Sequence, residues 1–199
     1  KRLLKENFDV LGFDNINNYY STKLKLSRLK ILEDNLENYL GQFTFVKGDL
    51  EQYSDLEKIA QTFKPKIIIH LAAQAGVRYS IENPLSYINS NLVGFANILE
   101  LCRKTDIYNF IYASSSSVYG GYTNLPFSEK NPVEHPVSLY AATKKSNELM
   151  AHSYSHLYGI PSTGIRFFTV YGPWGRPDMA PMIFTKSILD GEKIKIFNN

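Results

Sequence analysis

Short apolar runs alternate with segments of helical period along nearly the whole chain. Phe8–Asp14 is an apolar run ending in an acid and predicts a buried strand. Leu24, Leu26, Leu29, Leu32 and Leu36, set among charges in 21–40, give a helical pattern of imperfect period. Phe43–Val46 predicts a second strand, closed by Lys47-Gly48-Asp49. Ser54-Asp55-Leu56-Glu57 reads as a capping box, with hydroxyl and carboxylate three apart, opening a helix to Phe63. Lys64-Pro65 ends it, and Lys66–Leu71 predicts a third strand. Pro84 opens a helix over 84–104 on which Leu85, Ile88, Leu92, Phe95 and Leu99 recur at helical spacing. Phe110–Ala113 is the fourth strand and runs into Ser114–Ser117. Ser138–Tyr158 is a long helix stopped by Gly159-Ile160-Pro161, and Ile165–Val170 is the fifth strand, followed by the Gly/Pro-rich 171–177.

Strand alternating with helix predicts an α/β fold, a doubly wound, Rossmann-like parallel sheet covered on both faces. The chain opens at Lys1 in what reads as the last turns of a helix and stops after a strand-like Lys193–Phe197. The expectation is an internal fragment truncated at both ends: residues 1–199 form a dinucleotide-binding domain without its first strand and glycine-rich turn. Residues from about 171 to 199 begin a smaller sugar-binding region.

Composition narrows the field. Hydrophobic residues at 44% and charged residues at 21% are globular values and exclude a disordered or coiled-coil chain. A net charge of +3 from scattered basic residues gives no reason to expect a nucleic-acid partner. A single cysteine, Cys102, excludes a disulfide framework and a cysteine-rich zinc site. His152 and His156 stand four apart on the long helix but lack a third ligand, so no metal is expected. His70 reads as a near-core histidine, and Gly-x-Ser-x-Gly is absent. No run approaches the roughly 18 apolar residues of a membrane span.

In a parallel sheet, ligands gather beyond the carboxyl ends of the strands. The residues there are Asp14, Asp49, Ala72-Ala73, the serine run and Thr169. A carboxylate at Asp14 accepts from an adenosine ribose and repels a 2′-phosphate, favouring NAD over NADP; the alternative is a loop-capping Asp. Asp49 is placed to accept from an adenine amino group, with the same loop-capping alternative. The small Ala72 and Ala73 after Leu71 let a flat ligand approach the backbone. Tyr140 and Lys144 are i and i+4 on the long helix, so they share a face, and a nearby ammonium favours the phenolate. That makes Tyr140 a general base. Spacing alone is weak support: 14 Tyr in 199 residues rich in Lys give about one Tyr-x-x-x-Lys by chance. Tyr19 with Lys23 is a second such pair, read as the accident. Tyr140 opens a long helix that follows a serine-tipped strand, and a serine hydroxyl there can bond the oxygen the tyrosinate deprotonates.

Six segments in order carry a resemblance: 12–15 (GFDN), 47–50 (KGDL), 70–78 (HLAAQAGVR), 112–120 (YASSSSVYG), 138–145 (SLYAATKK) and 166–178 (RFFTVYGPWGRPD). Together they resemble the extended short-chain dehydrogenase/reductase family of NAD-dependent epimerases and dehydratases, in particular its bacterial UDP-glucuronate 4-epimerases. The resemblance implies NAD as cofactor and a UDP-sugar as substrate. It implies Tyr140 as base, Lys144 as its partner and a ribose contact, and Ser115 as the hydroxyl that orients the sugar. Ser116 and Ser117 would face the sugar or nicotinamide. Asp14, Asn15, Asp49, Leu50, Leu71, Ala72, Ala73, Asn91, Ser114 and Phe168 would line the NAD site. Thr169, Arg176 and Arg78 would meet substrate, with Arg176 suited to a sugar carboxylate; the alternative for Arg176 is a surface loop arginine.

The resemblance also implies a cytoplasmic enzyme, a role in polysaccharide biosynthesis, and a homodimer formed through helices 84–104 and 138–158. Membrane association is left open, because the native N-terminus is not visible. The related 4,6-dehydratases carry an acidic pair where this chain has Ser116 and Ser117, which favours epimerisation over dehydration. UDP-glucuronate decarboxylase, a 4,6-dehydratase and a non-catalytic dinucleotide-fold fragment are the alternatives.

Overall fold

A computed structural model describes residues 1–194. In chain order the elements are α1 (Arg2–Lys5), β1 (Val10–Asp14), α2 (Thr22–Glu33), β2 (Phe43–Lys47), α3 (Tyr53–Phe63) and β3 (Ile67–His70). They are followed by α4 (Tyr79–Glu82), α5 (Pro84–Tyr87), α6 (Gly94–Lys104), β4 (Asn109–Ala113), α7 (Leu139–Tyr158), β5 (Ser162–Ile165) and α8 (Ala180–Asp190). Short 3₁₀ turns occupy Leu36–Asn38 and Ser116–Tyr119, and a π-helical segment, Ile88–Val93, joins α5 to α6. The strands form two sheets, β1-β2 and β3-β4-β5, in an α/β fold as expected. β3 and β4 are parallel, as are β4 and β5.

The chain divides into two compact units. One comprises Phe13–Asn15 and Val46–Phe168. Its core is built on Phe95, Leu99, Phe110 and Ala151, where α6 and α7 pack around β4. The other comprises Lys1–Gly12, Ile16–Phe45 and Thr169–Asn199. There Leu4 is buried under the chain at 40–41, whose two amides both bond its carbonyl. Neither α2 nor α8 has a buried residue.

Four expectations need correction. Ser54 does not cap α3. A turn on Asp49, which accepts the Glu51 amide on Oδ1 (3.0 Å) and the Gln52 amide on its carbonyl (3.1 Å), starts the helix at Tyr53. Ser54 thereby falls inside the first turn, where it has no free amide to receive. The fifth strand is Ser162–Ile165, not Ile165–Val170. β4 ends at Ala113, whose partner is Ile165, and beyond that pair the amides of Ser114 and Ser116 still bond the carbonyls of Ile165 and Phe167. Gly164 pairs with Tyr112 in that ladder, and a Cβ there would stand 2.5 Å from the Tyr112 hydroxyl.

The helix over 84–104 is interrupted by the π segment. Its wider turn offsets the slow drift that α turns give to residues four apart, so one inward column runs through the break. Tyr87, Asn91, Phe95 and Leu99 are buried in that column, and Leu85 is 70% exposed. Finally, α8 was not anticipated; it is stopped at Gly191, which takes the left-handed conformation. Of the strand-like Lys193–Phe197, residues 195–197 lie outside the described residues. Among the described residues no helix is long and apolar enough to cross a membrane.

Candidate active site

Helix α7 begins where its sequence says it should. Ser138 is the N-cap, its Oγ accepting the Ala141 amide at 3.1 Å, and Gly159 closes the helix at φ 67°. Tyr140 therefore sits in the first turn, half-buried, with its ring edge-on to Tyr87 at 6.1 Å. Lys144 lies one turn on and is 2% exposed. Its ammonium donates to the carbonyl of Ala113, the last residue of β4, at 2.8 Å. Burial pulls its pKa from the ordinary 10.5 down to about 8. The amine is thus held at the strand end from which the serines emerge.

Those serines are ordered by the fold. The Ser114 amide bonds the Ile165 carbonyl at 2.9 Å, and the Ser116 amide bonds the Phe167 carbonyl at 2.8 Å. Ser115 caps the 3₁₀ turn, its Oγ accepting the Ser117 amide at 3.1 Å. Its hydroxyl proton remains to be donated. Ser114 and Ser115 are buried, and Ser116 and Ser117 are half-buried.

A second network lies under the tyrosine. Asn91 is 1% exposed. Its amide nitrogen donates to the Gln74 carbonyl and to Thr143 Oγ1, both at 3.0 Å, and its oxygen accepts the Gln74 amide at 2.8 Å. Thr143 in turn donates to the Tyr140 carbonyl at 2.8 Å. Asn147 donates to the Asn91 carbonyl at 2.6 Å. The side chain of Asn91 is thereby committed to holding the loop after β3 against the start of α7. His70, at the end of β3, is buried against Phe95 and Phe110. Burial first, and then the charge of Lys144, push its pKa down to about 3, so it is neutral at physiological pH.

The expected cofactor residues are distributed along the strand ends of the same unit. Asp14 is exposed at the end of β1, and its carbonyl accepts the Gly48 amide. Asn15 donates to Asp49 at 3.0 Å, so the two acidic strand ends are tied together through it. Both oxygens of Asp49 carry a bond, which leaves one lone pair on each for a ligand. The Leu50 carbonyl accepts from Asn97 at 2.7 Å, while Gly94 lies against the Leu50 side chain. Leu71 is exposed, and Ala72 and Ala73 are half-buried after β3. Phe168 stacks on Tyr119 and packs at a tilt against Phe127. Arg78 is exposed at the start of α4.

Thr169 and Arg176 belong to the other unit. Thr169 is exposed, and both prongs of the Arg176 fork are on Asp178 at 3.0 and 2.5 Å. There the Tyr19 hydroxyl also donates to Asp178, at 3.2 Å, and Arg28 bonds Tyr20 and the Gly175 carbonyl.

Sequence reasoning missed Gln74, Thr143, Asn147 and the pair Glu148–Arg166. Glu148 could have been found as the next turn of the Tyr140–Lys144 face. A cleft of about 690 Å³ lies beside that pair, lined by Tyr119, Phe127 and Phe168 among others; Tyr140, Lys144 and Ser115 do not line it. Among the described residues no group of three His, Cys, Asp or Glu could hold a metal. Cys102 is buried in the core, where loss of solvation pushes its thiol up to about 12.

The family model described as GDP-mannose 4,6-dehydratase matches residues 1–195. Protein CapI of Staphylococcus aureus is 59% identical over the whole chain, which spans 58% of CapI. UDP-glucuronate 4-epimerase 2 of Arabidopsis thaliana is 53% identical over 94% of this chain and 42% of its own length. The crystal structure of UDP-glucuronic acid 4-epimerase from Bacillus cereus, in complex with UDP-glucuronic acid and NAD, matches with a TM-score of 0.88 at 33% identity. It covers 100% of this chain and 61% of that one. The chain thus spans between 42% and 61% of the length of these relatives. Matched almost end to end by one family model, it belongs to the GDP-mannose 4,6-dehydratase family, among the epimerases and dehydratases that its strand-end residues resemble.

Proposed function

We propose that the full-length protein is an NAD-dependent nucleotide-sugar 4-epimerase that converts UDP-glucuronate to UDP-galacturonate. The observation that carries this reading is the placement of Lys144: it is buried one turn from Tyr140 and bonded to the strand end that presents Ser115. The relatives named above supply the substrate class. The residues present fit NAD: Asp14 is an exposed carboxylate at a strand end, Asn15 and Asp49 are joined by a hydrogen bond, and small Ala72 and Ala73 follow β3. Bound NAD supplies a reversible hydride acceptor.

The chain's own residues do the rest. The Tyr140 phenolate, favoured by the Lys144 charge, takes the proton of the sugar 4-hydroxyl and later returns it. Ser115 donates its hydroxyl proton to the same sugar oxygen and orients it. Ser114 and Asn91 support the cofactor side through the backbone they hold. Arg78 and Thr169 contact substrate, and the Arg176 fork passes from Asp178 to the sugar carboxylate. Ser116 and Ser117 have no carboxyl to drive loss of water, which separates this reading from a 4,6-dehydratase.

The same proposal takes residues 1–199 as the dinucleotide-binding domain and those from about 171 to 199 as the opening of the substrate-binding region. It places the enzyme in the cytoplasm, in polysaccharide biosynthesis. Exposed Leu85, Leu149 and Leu157 support a homodimer through the 84–104 and 139–158 helices. Light scattering that finds only monomer would remove that part.

The deciding experiment incubates the full-length protein with UDP-glucuronate and follows product mass and sugar configuration. Unchanged mass with a galacto product is expected. Loss of water or of carbon dioxide points instead to dehydratase or decarboxylase, and no turnover at all favours a non-catalytic dinucleotide-fold protein.

A further inference from the structure

Glu148 extends the Tyr140–Lys144 face of α7 by one more turn, since residues four apart on a helix lie one above the other. Its Oε1 accepts the Ser114 hydroxyl at 2.6 Å. Arg166, the first residue after β5, grips the same carboxylate with two bonds, Nε to Oε1 at 2.8 Å and Nη2 to Oε2 at 2.9 Å. Lys145 adds a second cation at 3.5 Å. The pair is largely withdrawn from solvent, with side chains 15% and 17% exposed. Two successive turns of α7 therefore hold two successive residues of the β4 exit: Lys144 holds Ala113, and Glu148 holds Ser114. The next residue is Ser115.

We propose that Glu148, locked by Arg166, is a positioning residue that sets the distance between the Tyr140–Lys144 face and the Ser115 hydroxyl. This rests on the epimerase reading for its chemistry and on the hydrogen bonds alone for its geometry. A helix and a strand exit held at a single point can pivot; held at two points one turn apart, they cannot. A surface ion pair would have no such consequence. Here the carboxylate is shared between a hydroxyl from the serine run and a bidentate guanidinium, an arrangement that fixes both direction and distance. Burial alone would raise the carboxyl pKa, but the bonds from Arg166 and Ser114 and the charges of Arg166 and Lys145 outweigh it and hold the group ionised.

The test uses Glu148→Gln in the full-length protein, with Arg166→Lys as a second variant that keeps the cation and loses the fork. In the turnover assay, kcat should fall about tenfold or more while KM for UDP-glucuronate and the NAD retained on purification stay within about twofold. Ser114→Ala should lose a smaller factor, and combining it with Glu148→Gln should add little further loss. If kcat and bound NAD fall while KM rises, or none changes, the proposal is overturned.

Hydrogen exchange gives a readout that does not depend on any substrate. Amides at 114–117 should exchange faster in both variants, with the far end of α7 unchanged. Unchanged exchange at 114–117 overturns the proposal even if the wild type is an epimerase. Faster exchange confined there upholds the geometry even if the wild type proves to act on another sugar.

Discussion

Two Tyr-x-x-x-Lys pairs stand in this chain, and the fold treats them differently. Tyr140 and Lys144 both lie inside α7, which has a working serine cap and a buried inner face. Tyr19 precedes α2, which starts at Thr22, so Tyr19 and Lys23 do not share a helix turn. Lys23 is exposed, and the Tyr19 hydroxyl is bonded to Asp178 in an exposed contact. Ser21, at the N-cap of α2, makes no side-chain cap bond. Spacing in sequence becomes proximity on one face only when a packed helix enforces it. The ammonium becomes a chemical tool only when burial removes water from it.

The sharpest way to break the contrast is to remove each phenol. Tyr140→Phe is expected to lower turnover of UDP-glucuronate by about 10²–10⁴-fold, the usual worth of a positioned proton acceptor. Tyr19→Phe should change it by a few-fold at most. Equal losses would erase the distinction.

The lysines come next. Lys144 is lowered from 10.5 to about 8, so between those values the unfolded chain holds a proton that the folded chain has released. Stability must then rise with pH across that window, with the full penalty present below pH 8 and gone above 10.5. The shift corresponds to about 3 kcal/mol. Urea unfolding of unliganded protein should show that rise, Lys144→Met should flatten it, and Lys23→Met should leave it. A rise that survives Lys144→Met would refute the assignment.

Smallest are the caps. Ser138→Ala should cost about 1 kcal/mol in the same unfolding measurement, because the Ala141 amide loses its acceptor. Ser21→Ala should cost close to nothing, and a comparable loss there would mean that α2 is capped after all.

Much of this was legible in the residues. The ends of α7 follow from Ser138 and Gly159, and the strand-end serines follow from the apolar run before them. Local chemistry specifies such features, so they can be read locally. What escaped depends on partners far along the chain. Glu148 meets Arg166 and Ser114, 18 and 34 positions away, and no local pattern announces either. The last strand was misplaced because Ser162, Thr163 and Gly164 are small and polar; only the ring of Tyr112 explains why a glycine is needed there. The π segment defeated the period itself, promoting Tyr87 to the inner column and sending Leu85 outward. Residues 54–57 carry a capping pattern, but the turn on Asp49 began the helix first.

The seclusion of Lys144 also bears on handling the protein at the bench. At pH 8 about half of these amines are neutral, the form that attacks an activated ester, yet the group is 2% exposed and faces a backbone carbonyl. Coupling to a dye or a resin through exposed lysines such as Lys23 and Lys58 therefore spares the amine beside Tyr140. Random attachment through surface lysines is therefore expected to leave Lys144 unmodified.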